Sequence, residues 1–347
     1  MNKARPTLSD IAEKFGISKQ AVSRALRDMP DIGQKMRLDI QEHAQEIGYA
    51  VNWAARSLAT RRSGLLGIGM GSFANPFFQD VTYALSRSIK REGFTPVLVD
   101  VEAALETSGG QSAARASDVP LDGLILLEGW YDLQLTEAQI AFLDRSVAPT
   151  LYRGNLSSDL VDQVQVDWYA ASRTLTRHLI ELGHRKIGTI RGVGGPDNVR
   201  EEDVSAKILG TVDELQAHGI DHDPQHFVRI PTGLPQARDA AASLIARADR
   251  PSAIICHTDY LAIGAIRAVT EAGLTVPGDI SIAGFNDIEL GRFLPISLTT
   301  IGHDRAELAE ELVKRLAARI RGERNVECFK TQVLHELIPR ESTDRVL

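Results

Sequence analysis

Residues 17–27 read ISKQAVSRALR. Ala21, Val22, Ala25 and Leu26 recur at i, i+1, i+4 and i+5, while Lys19, Gln20, Ser23, Arg24 and Arg27 fill the complementary positions. On a helix near 18–27 this spacing gives a small apolar face and an opposite face of hydrogen-bond donors. Just upstream, Leu8, Ile11, Ala12 and Phe15 form the inner stripe of a helix near 8–15. Gly16 then permits a sharp turn and Ser18 can cap the next helix. A third helix near 33–47 is predicted from Ile32, Met36, Ile40, Ala44 and Ile47, with Gly48 as its stop.

Two helices joined this tightly cross only where residues are small, a condition met by Ala12, Gly16 and Ala21. The result is helix-turn-helix geometry, with the polar face of the second helix left outward. Lys19, Gln20 and Arg24 then carry donors suited to base edges in a major groove, Arg or Lys toward guanine and Gln toward adenine. The same stripe taken alone is also what an ordinary solvated helix face looks like. Residues 49–62, YAVNWAARSLATRR, form a short alanine-rich stretch with three arginines. A helix this short is marginal in water, so it reads either as a flexible linker or as a segment that orders against DNA and a second copy. In the second case Leu58 is a candidate wedge between base pairs, Ala55 permits close approach, and Arg56 can meet phosphates.

At 347 residues the chain is expected to hold two to three domains, and 43% hydrophobic with 24% charged residues suits a globular protein. The net charge of −7 is unevenly spread. Residues 1–62 hold 11 Lys/Arg against 7 Asp/Glu, and the remainder 28 against 39, so the positive excess lies at the front. Cys256 and Cys328 have no spacing that suggests a metal site or disulfide framework. No apolar run approaches the roughly 18 residues of a membrane span, and the first ten residues lack the apolar core of a secretion signal. A cytoplasmic location and no membrane partner are expected.

From residue 64 the pattern changes to short apolar strands: GLLGIGM, TPVLVDV, LDGLILL, APTLYR, QVQVD, KIGTIRG, HFVRIP, SAIICHT and DISIAGF. Helical stretches such as 77–92, 169–182, 236–248 and 260–272 lie between them. This alternation predicts an α/β core of parallel sheets covered on both faces, and about nine strands exceed one domain. Two doubly wound sheets follow, with a ligand crevice at the carboxyl ends of their strands. Residues 102–118, interrupted by Gly109 and Gly110, are the weakest element.

Read together, these residues resemble the LacI/GalR family of bacterial transcription regulators over nearly the whole chain. The segment TLSDIAEKFGISKQAVSRAL is similar to the family's DNA-binding signature, and IGY and NWAARSLAT to its third-helix end and hinge. NPFF at 75–78, LDGLIL at 121–126, ELGHRKIG at 181–188, EAGLTVPGDISIAGFNDI at 271–288, LTTI at 298–301 and PREST at 339–343 follow in the family's order. The resemblance implies a helix-turn-helix head at 1–50, a hinge helix at 51–62 and a periplasmic-binding-protein-like core at 63–347. Within the core it implies an N-subdomain of about 63–165 plus 293–325 and a C-subdomain of about 166–292 plus 326–347. It also implies a homodimer on a pseudo-palindromic operator and a small molecule held between the subdomains. The short tail after PREST makes a dimer, rather than a tetramer, the expected assembly.

By the same resemblance Lys19, Gln20 and Arg24 fall at base-reading positions and Leu58 at the minor-groove wedge. Thr7, Ser18, Ser23, Arg27, Asn52, Ala55 and Arg56 complete the expected DNA-facing set. For the effector, Lys207 stands where an arginine is usual, Thr258 replaces an asparagine and Asn286 replaces an aspartate common among relatives. A lysine offers a point charge in place of the guanidinium fork that suits sugar hydroxyl pairs, which brings in anionic or phosphorylated ligands. Asp167 matches a cleft aspartate, Phe77 and Phe78 can face either crevice or core, and Glu128 and Trp130 sit at a strand end. The expected ligand is a sugar, sugar phosphate or other polar metabolite, with no cofactor, no metal and no catalytic residue.

Two other functions compete. An enzyme reading would use GIGMGS at 67–72 as a nucleotide loop, but neither the G-x-G-x-x-G spacing nor a following Gly-Lys-Ser/Thr is present. His184 in LGHRKI reads as a structural residue at a helix end. A free ligand receptor shares the core fold but needs no basic front domain. Loss of duplex binding with retained ligand binding on deletion of residues 1–62 is expected for a regulator; a receptor would be unaffected.

Overall fold

The computed structural model describes residues 6–26, 28–49, 62–70, 75–100, 120–127, 150–153, 162–193, 206–323 and 330–346. The chain divides into two compact units, Met1–Ser63 and Gly64–Leu347. In the first, three helices, α1 (Leu8–Phe15), α2 (Lys19–Leu26) and α3 (Gln34–Glu46), enclose Ile11, Ala12, Val22, Ala25, Ile40 and Ala44. Gly16 ends α1 at φ 63°, a left-handed conformation that an L side chain resists, and the Ile17 amide donates to the Ala12 carbonyl at 3.1 Å. Ser18 Oγ accepts from the Ala21 amide at 3.1 Å, which supplies the cap that starts α2. The apolar stripe expected on α3 needs one correction: Met36 is 43% exposed, because it lies in the first turn, before the helix meets α1 and α2.

The second unit holds two six-stranded sheets. The first runs in the order β11 (Lys330–Val333), β5 (Asp162–Val166), β4 (Thr150–Arg153), β3 (Gly123–Leu127), β1 (Leu65–Met70), β2 (Thr95–Asp100), with every pairing parallel. Helices α4 (Pro76–Arg91) and α10 (Arg305–Arg321) pack on it through Phe77, Phe78, Val81, Leu85, Leu308, Leu312 and Leu316. The second sheet runs β12 (Glu336–Ile338), β10 (Thr299–Gly302), β9 (Ser281–Phe285), β8 (Ala253–Cys256), β6 (Ile187–Val193), β7 (Phe227–Pro231), parallel except for β12. Alternation along its strands sends Ile190, Ile254, Cys256 and Ile282 to α7 (Leu234–Ile245) and α8 (Asp259–Glu271). Ile187, Ile255, Ala283 and Phe285 face α5 (Trp168–Glu181) and α6 (Ala206–Ala217).

All nine strands expected from the sequence are present, and three more join them. β10, β11 and β12 are four residues or fewer, and KTQV and ELI lack a continuous apolar run. They also correct the subdomain boundaries: 299–302 belongs to the second sheet, whereas 330–333 returns to the first. Among the described residues the backbone therefore passes between lobes three times, through Asp167, through His303 and Asp304, and through Leu334 and His335.

Within the second lobe, α5 and α6 are locked together. A Cβ on Gly210 would collide with the Tyr169 carbonyl and come within 3.1 Å of the Ser172 side chain, so only glycine lets the two backbones approach this closely. Fully buried Glu214 accepts from Arg173 Nε at 2.6 Å and Arg177 Nε at 2.7 Å. Burial pushes its carboxyl up, but the two guanidinium groups outweigh that and hold it below the ordinary glutamate value. His184 is structural, as expected: its ring bridges Ser252 Oγ at 2.8 Å and Ser281 Oγ at 3.1 Å, beside the Asp344 carbonyl.

Where the lobes meet, Asn286 and Asp287 both adopt positive φ, 105° and 49°, which non-glycine residues rarely hold without external support. The support is ionic. Asp287 accepts from Arg292, on the short helix α9 (Glu289–Arg292), and, at 2.5 Å, from Arg340 Nη2, while Arg305 donates to its carbonyl and, at 3.0 Å, to Asp80 on α4. Burial raises the Asp287 carboxyl, yet the arginines dominate and leave it below the ordinary aspartate value. Nearby Asp259 accepts from Thr300 Oγ1 at 2.6 Å and from the Ile288 amide at 2.9 Å. Burial is the largest influence on it and pushes its pKa up to about 7.

Asp287→Asn leaves the mostly buried Arg340 without its counter-charge, and urea titration should show a loss of about 3–5 kcal/mol. The Asp287 contribution is present above the unfolded carboxylate pKa of about 4 and is lost as pH falls through the lower folded value. Asp259 has the opposite sign: its native form retains a proton that the unfolded chain releases, so stability should fall as pH rises from about 4 to about 7. Asp259→Asn cannot ionise and should flatten that decline in a pH series of melting curves.

Candidate nucleic-acid interface and effector cleft

On α2 the division into two faces is physical. Val22 and Ala25 are fully buried, whereas Lys19, Gln20 and Arg24 are exposed. These three side chains project from one face of a helix whose other face is pinned by the head's core, and α3 adds a tie when Gln41 Nε2 donates to the Ala25 carbonyl at 3.1 Å. Arg24 forms an ion pair with Asp31, and both side chains remain more than two-fifths exposed. Such a surface pair contributes little and exchanges readily for another anion. Arg37 is held more firmly, at 2.7 Å from Asp28 and 3.2 Å from the Met29 carbonyl, and fixes the loop that carries Asp31.

Two of the hydroxyl residues expected to face DNA have local roles. The Thr7 hydroxyl donates to Asp10 at 3.0 Å and its amide donates to the same carboxylate at 2.7 Å, so its proton serves the start of α1. Ser18 uses an oxygen lone pair for its cap and keeps its proton for an outside acceptor. Ser23 is half-buried on the side of α2. Arg27, Asn52, Ala55, Arg56 and Leu58 lie outside the described residues, as do most of the hinge segment, Glu128, Trp130 and Cys328.

In the core, the expected effector residues divide into packing and cleft groups. Phe77 and Phe78 are 2% and 7% exposed and belong to the first lobe's core, edge to face with each other at 5.2 Å. Of the two placements open to them, crevice or core, both rings take the core: they lie on the inward stripe of α4, and Phe77 also meets the His303 ring at the lobe crossing. Thr258 is likewise occupied, its Oγ1 accepting from the Leu261 amide as the cap of α8. Asp167 caps α5 through Ala170 at 2.9 Å and stands at the first lobe crossing. Asn286 occupies the strained turn after β9, its amide donating to the Ile301 carbonyl at 2.7 Å.

Lys207 is the expected residue with the most developed surroundings. It is 3% exposed, its Nζ donates to the His257 carbonyl at 2.7 Å, and it lies 4.1 Å from the Trp168 ring centroid and 4.3 Å from that of Phe285. Two ring faces and one carbonyl stabilise an ammonium out of water. Sequence reasoning missed its neighbours. Arg191 pairs in register with Arg229, and the Ile190–Cys256 pairing places His257 beside Arg191. The Ile255–Ala283 pairing continues the row to Phe285. The available signal was a break in pattern: along β6 the positions facing α5 and α6 read Ile187, Thr189, Arg191, apolar to basic toward the carboxyl end.

Among the described residues Asp223, His226 and Asp249 place possible metal-ligand atoms within 4.8 Å of one another. Arg247 already spans those carboxylates, 3.0 Å from Asp249 and 3.6 Å from Asp223, so both are paired with a guanidinium group.

Comparison with known proteins agrees with this architecture. The profile of the periplasmic binding protein-like domain matches residues 176–343. The ribose operon repressor of Haemophilus influenzae is 27% identical over 335 residues, covering 94% of this chain and 95% of its own. The HTH-type transcriptional repressor PurR of Pectobacterium carotovorum is 28% identical, with 97% and 96% covered. The lac repressor dimer bound to operator and the anti-inducer ONPF superposes with a TM-score of 0.77 at 26% identity, across 98% of this chain and 100% of that one. Motif order, twin-sheet core, helix-turn-helix head and similarity along the full length converge: the chain is similar from end to end to repressors of the LacI type, with a periplasmic binding protein-like domain across 176–343.

Proposed function

We propose that this protein is an operator-binding repressor, working in the cytoplasm as a homodimer, whose DNA affinity is set by a small molecule held between the two core lobes. The observation that carries the reading is the outward row of Lys19, Gln20 and Arg24 on α2, backed by a closed three-helix core. Lys and Arg suit guanine O6 and N7, and Gln suits adenine, so the row can read a short base sequence from the major groove. The named relatives being repressors, and the lac repressor having been captured on its operator, support the same reading over that of an enzyme.

The organisation that serves this function is a DNA-reading head at 1–50, a hinge at 51–62 carrying Asn52, Ala55, Arg56 and Leu58, and the effector core at 63–347. Exposed Tyr83 and Leu98 on the first lobe and Leu290 and Phe293 on the second give a homodimer apolar surface to bury. No helix among the described residues is long and apolar enough to cross a membrane. Effector binding acts by population shift: a ligand with different affinity for two lobe orientations biases the pair of hinges toward or away from the DNA-competent spacing. In the cleft, Asp167, Lys207 and Asn286 are the residues assigned to effector recognition.

Arg24→Ala should cost about 1–3 kcal/mol on the preferred duplex and relax base preference at one position of each half-site. Selection from a random duplex pool followed by anisotropy titration checks this, and an unchanged preference would remove α2 from the interface. Log affinity should also fall linearly and steeply with log salt as phosphate counterions are released. A flat salt response would contradict an operator-binding role.

A further inference from the structure

The second lobe carries a feature that an uncharged sugar does not require. Across the carboxyl end of its sheet, on the face toward α5 and α6, Arg229, Arg191, His257 and Phe285 stand side by side on neighbouring strands. Lys207 approaches the same row from α6, with its Nζ against the Phe285 and Trp168 rings. Arg191 is 8% exposed, Lys207 3% and His257 not at all. Farther back on this face the sheet is apolar, with Ile187, Ile255 and Ala283 in the core, so the basic groups are confined to the end where α/β ligands bind.

His257 adds a second observation. Both of its ring nitrogens are buried without a hydrogen-bond partner, which costs free energy unless a bound group supplies one. The nearby cationic side chains hold the ring in its neutral form, reinforcing burial, the larger cause. A neutral imidazole has one N–H to donate and one lone pair to accept, and the side chains of Lys207, Arg191 and Arg229 around it are cationic. An unpartnered imidazole beside three cationic side chains in a dry site matches a compact oxyanion, as carboxylates and phosphates accept at several oxygens.

We infer that the effector of this regulator is anionic, and that its carboxylate or phosphate group is bound at the cationic row formed by Arg191, Arg229, His257 and Lys207. The inference rests on the effector-controlled regulator reading given above and names the ligand class of that same cleft. The remainder of the ligand would lie toward the first lobe, past the Trp168 and Phe285 rings.

The test uses the full-length chain at fixed pH and ionic strength, with sodium chloride replaced stepwise by sodium phosphate or, separately, by sodium succinate. The melting temperature should rise saturably, by about 3 °C at roughly ten times Kd, in at least one oxyanion series. Response to phosphate alone identifies a phosphoryl group, and response to succinate alone a carboxylate. Lys207→Met should weaken the response at least tenfold. Arg229→Met, at the half-buried end of the row, should do the same without disturbing the core if Lys207→Met fails to fold. Melting temperatures that do not distinguish either oxyanion from chloride would overturn the inference, as would a response unchanged in Arg229→Met. Duplex binding measured in parallel separates the two readings: binding without an oxyanion response refutes only the anionic effector. An oxyanion response without duplex binding refutes the regulator.

Discussion

The buried carboxylate of Asp287 is the constraint on which the core depends. It sits in a turn that the backbone would not adopt unaided, where two successive non-glycine residues have positive φ, and it is clasped by arginines from separate parts of the chain. Arg340 arrives from the C-terminal segment, Arg292 from the short helix after the turn, and Arg305 from the start of α10 while also gripping Asp80 on the first lobe. One residue, through its carboxylate and its backbone carbonyl, thus gathers the end of β9, the tail and the entrance to α10. Ile288, the next residue, packs into the first lobe's core although its strand belongs to the second. Hydrophobic burial provides most of the stability of each lobe. The ionic cluster settles how one lobe is joined to the other.

Much of the fold was legible because its signals are local. Apolar runs bounded by turn residues gave the first nine strands, and the donor-rich face of 17–27 against Ala21, Val22 and Ala25 gave the head. The path of the last sixty residues was not legible. LTTI, KTQV and ELI are too short and mixed to show period-two alternation, and the lobe to which each belongs is decided by which sheet edge is open, a long-range fact. Met36 shows the same limit on a smaller scale: the helical spacing is right, but a residue in the first turn of α3 has no neighbour to cover it.

The candidate site was less legible than the fold. Lys207 stood out through resemblance alone, because its chemistry differs from the expected arginine. Arg191, Arg229 and His257 are far apart in sequence and meet only through strand register, so nothing in their immediate neighbours marks them. Conversely, Phe77, Phe78 and Thr258 sit at motif positions yet are occupied by packing and capping, roles that become visible once α4 and α8 are placed on their sheets. On the head, the Arg24–Asp31 pair could not be foreseen, because it depends on where the loop after α2 returns.

The three passages between the lobes are one or two residues long, and two of them begin or end at helix caps, Asp167 for α5 and Asp304 for α10. Tethers this short, combined with an α5–α6 pair that the absence of a Cβ at Gly210 allows to pack backbone against backbone, leave each half little internal freedom. Sliding and separation are forbidden by tether length. What survives is a single soft coordinate, a rocking about the line through the tethers, so any message from the cleft has to be encoded as an angle.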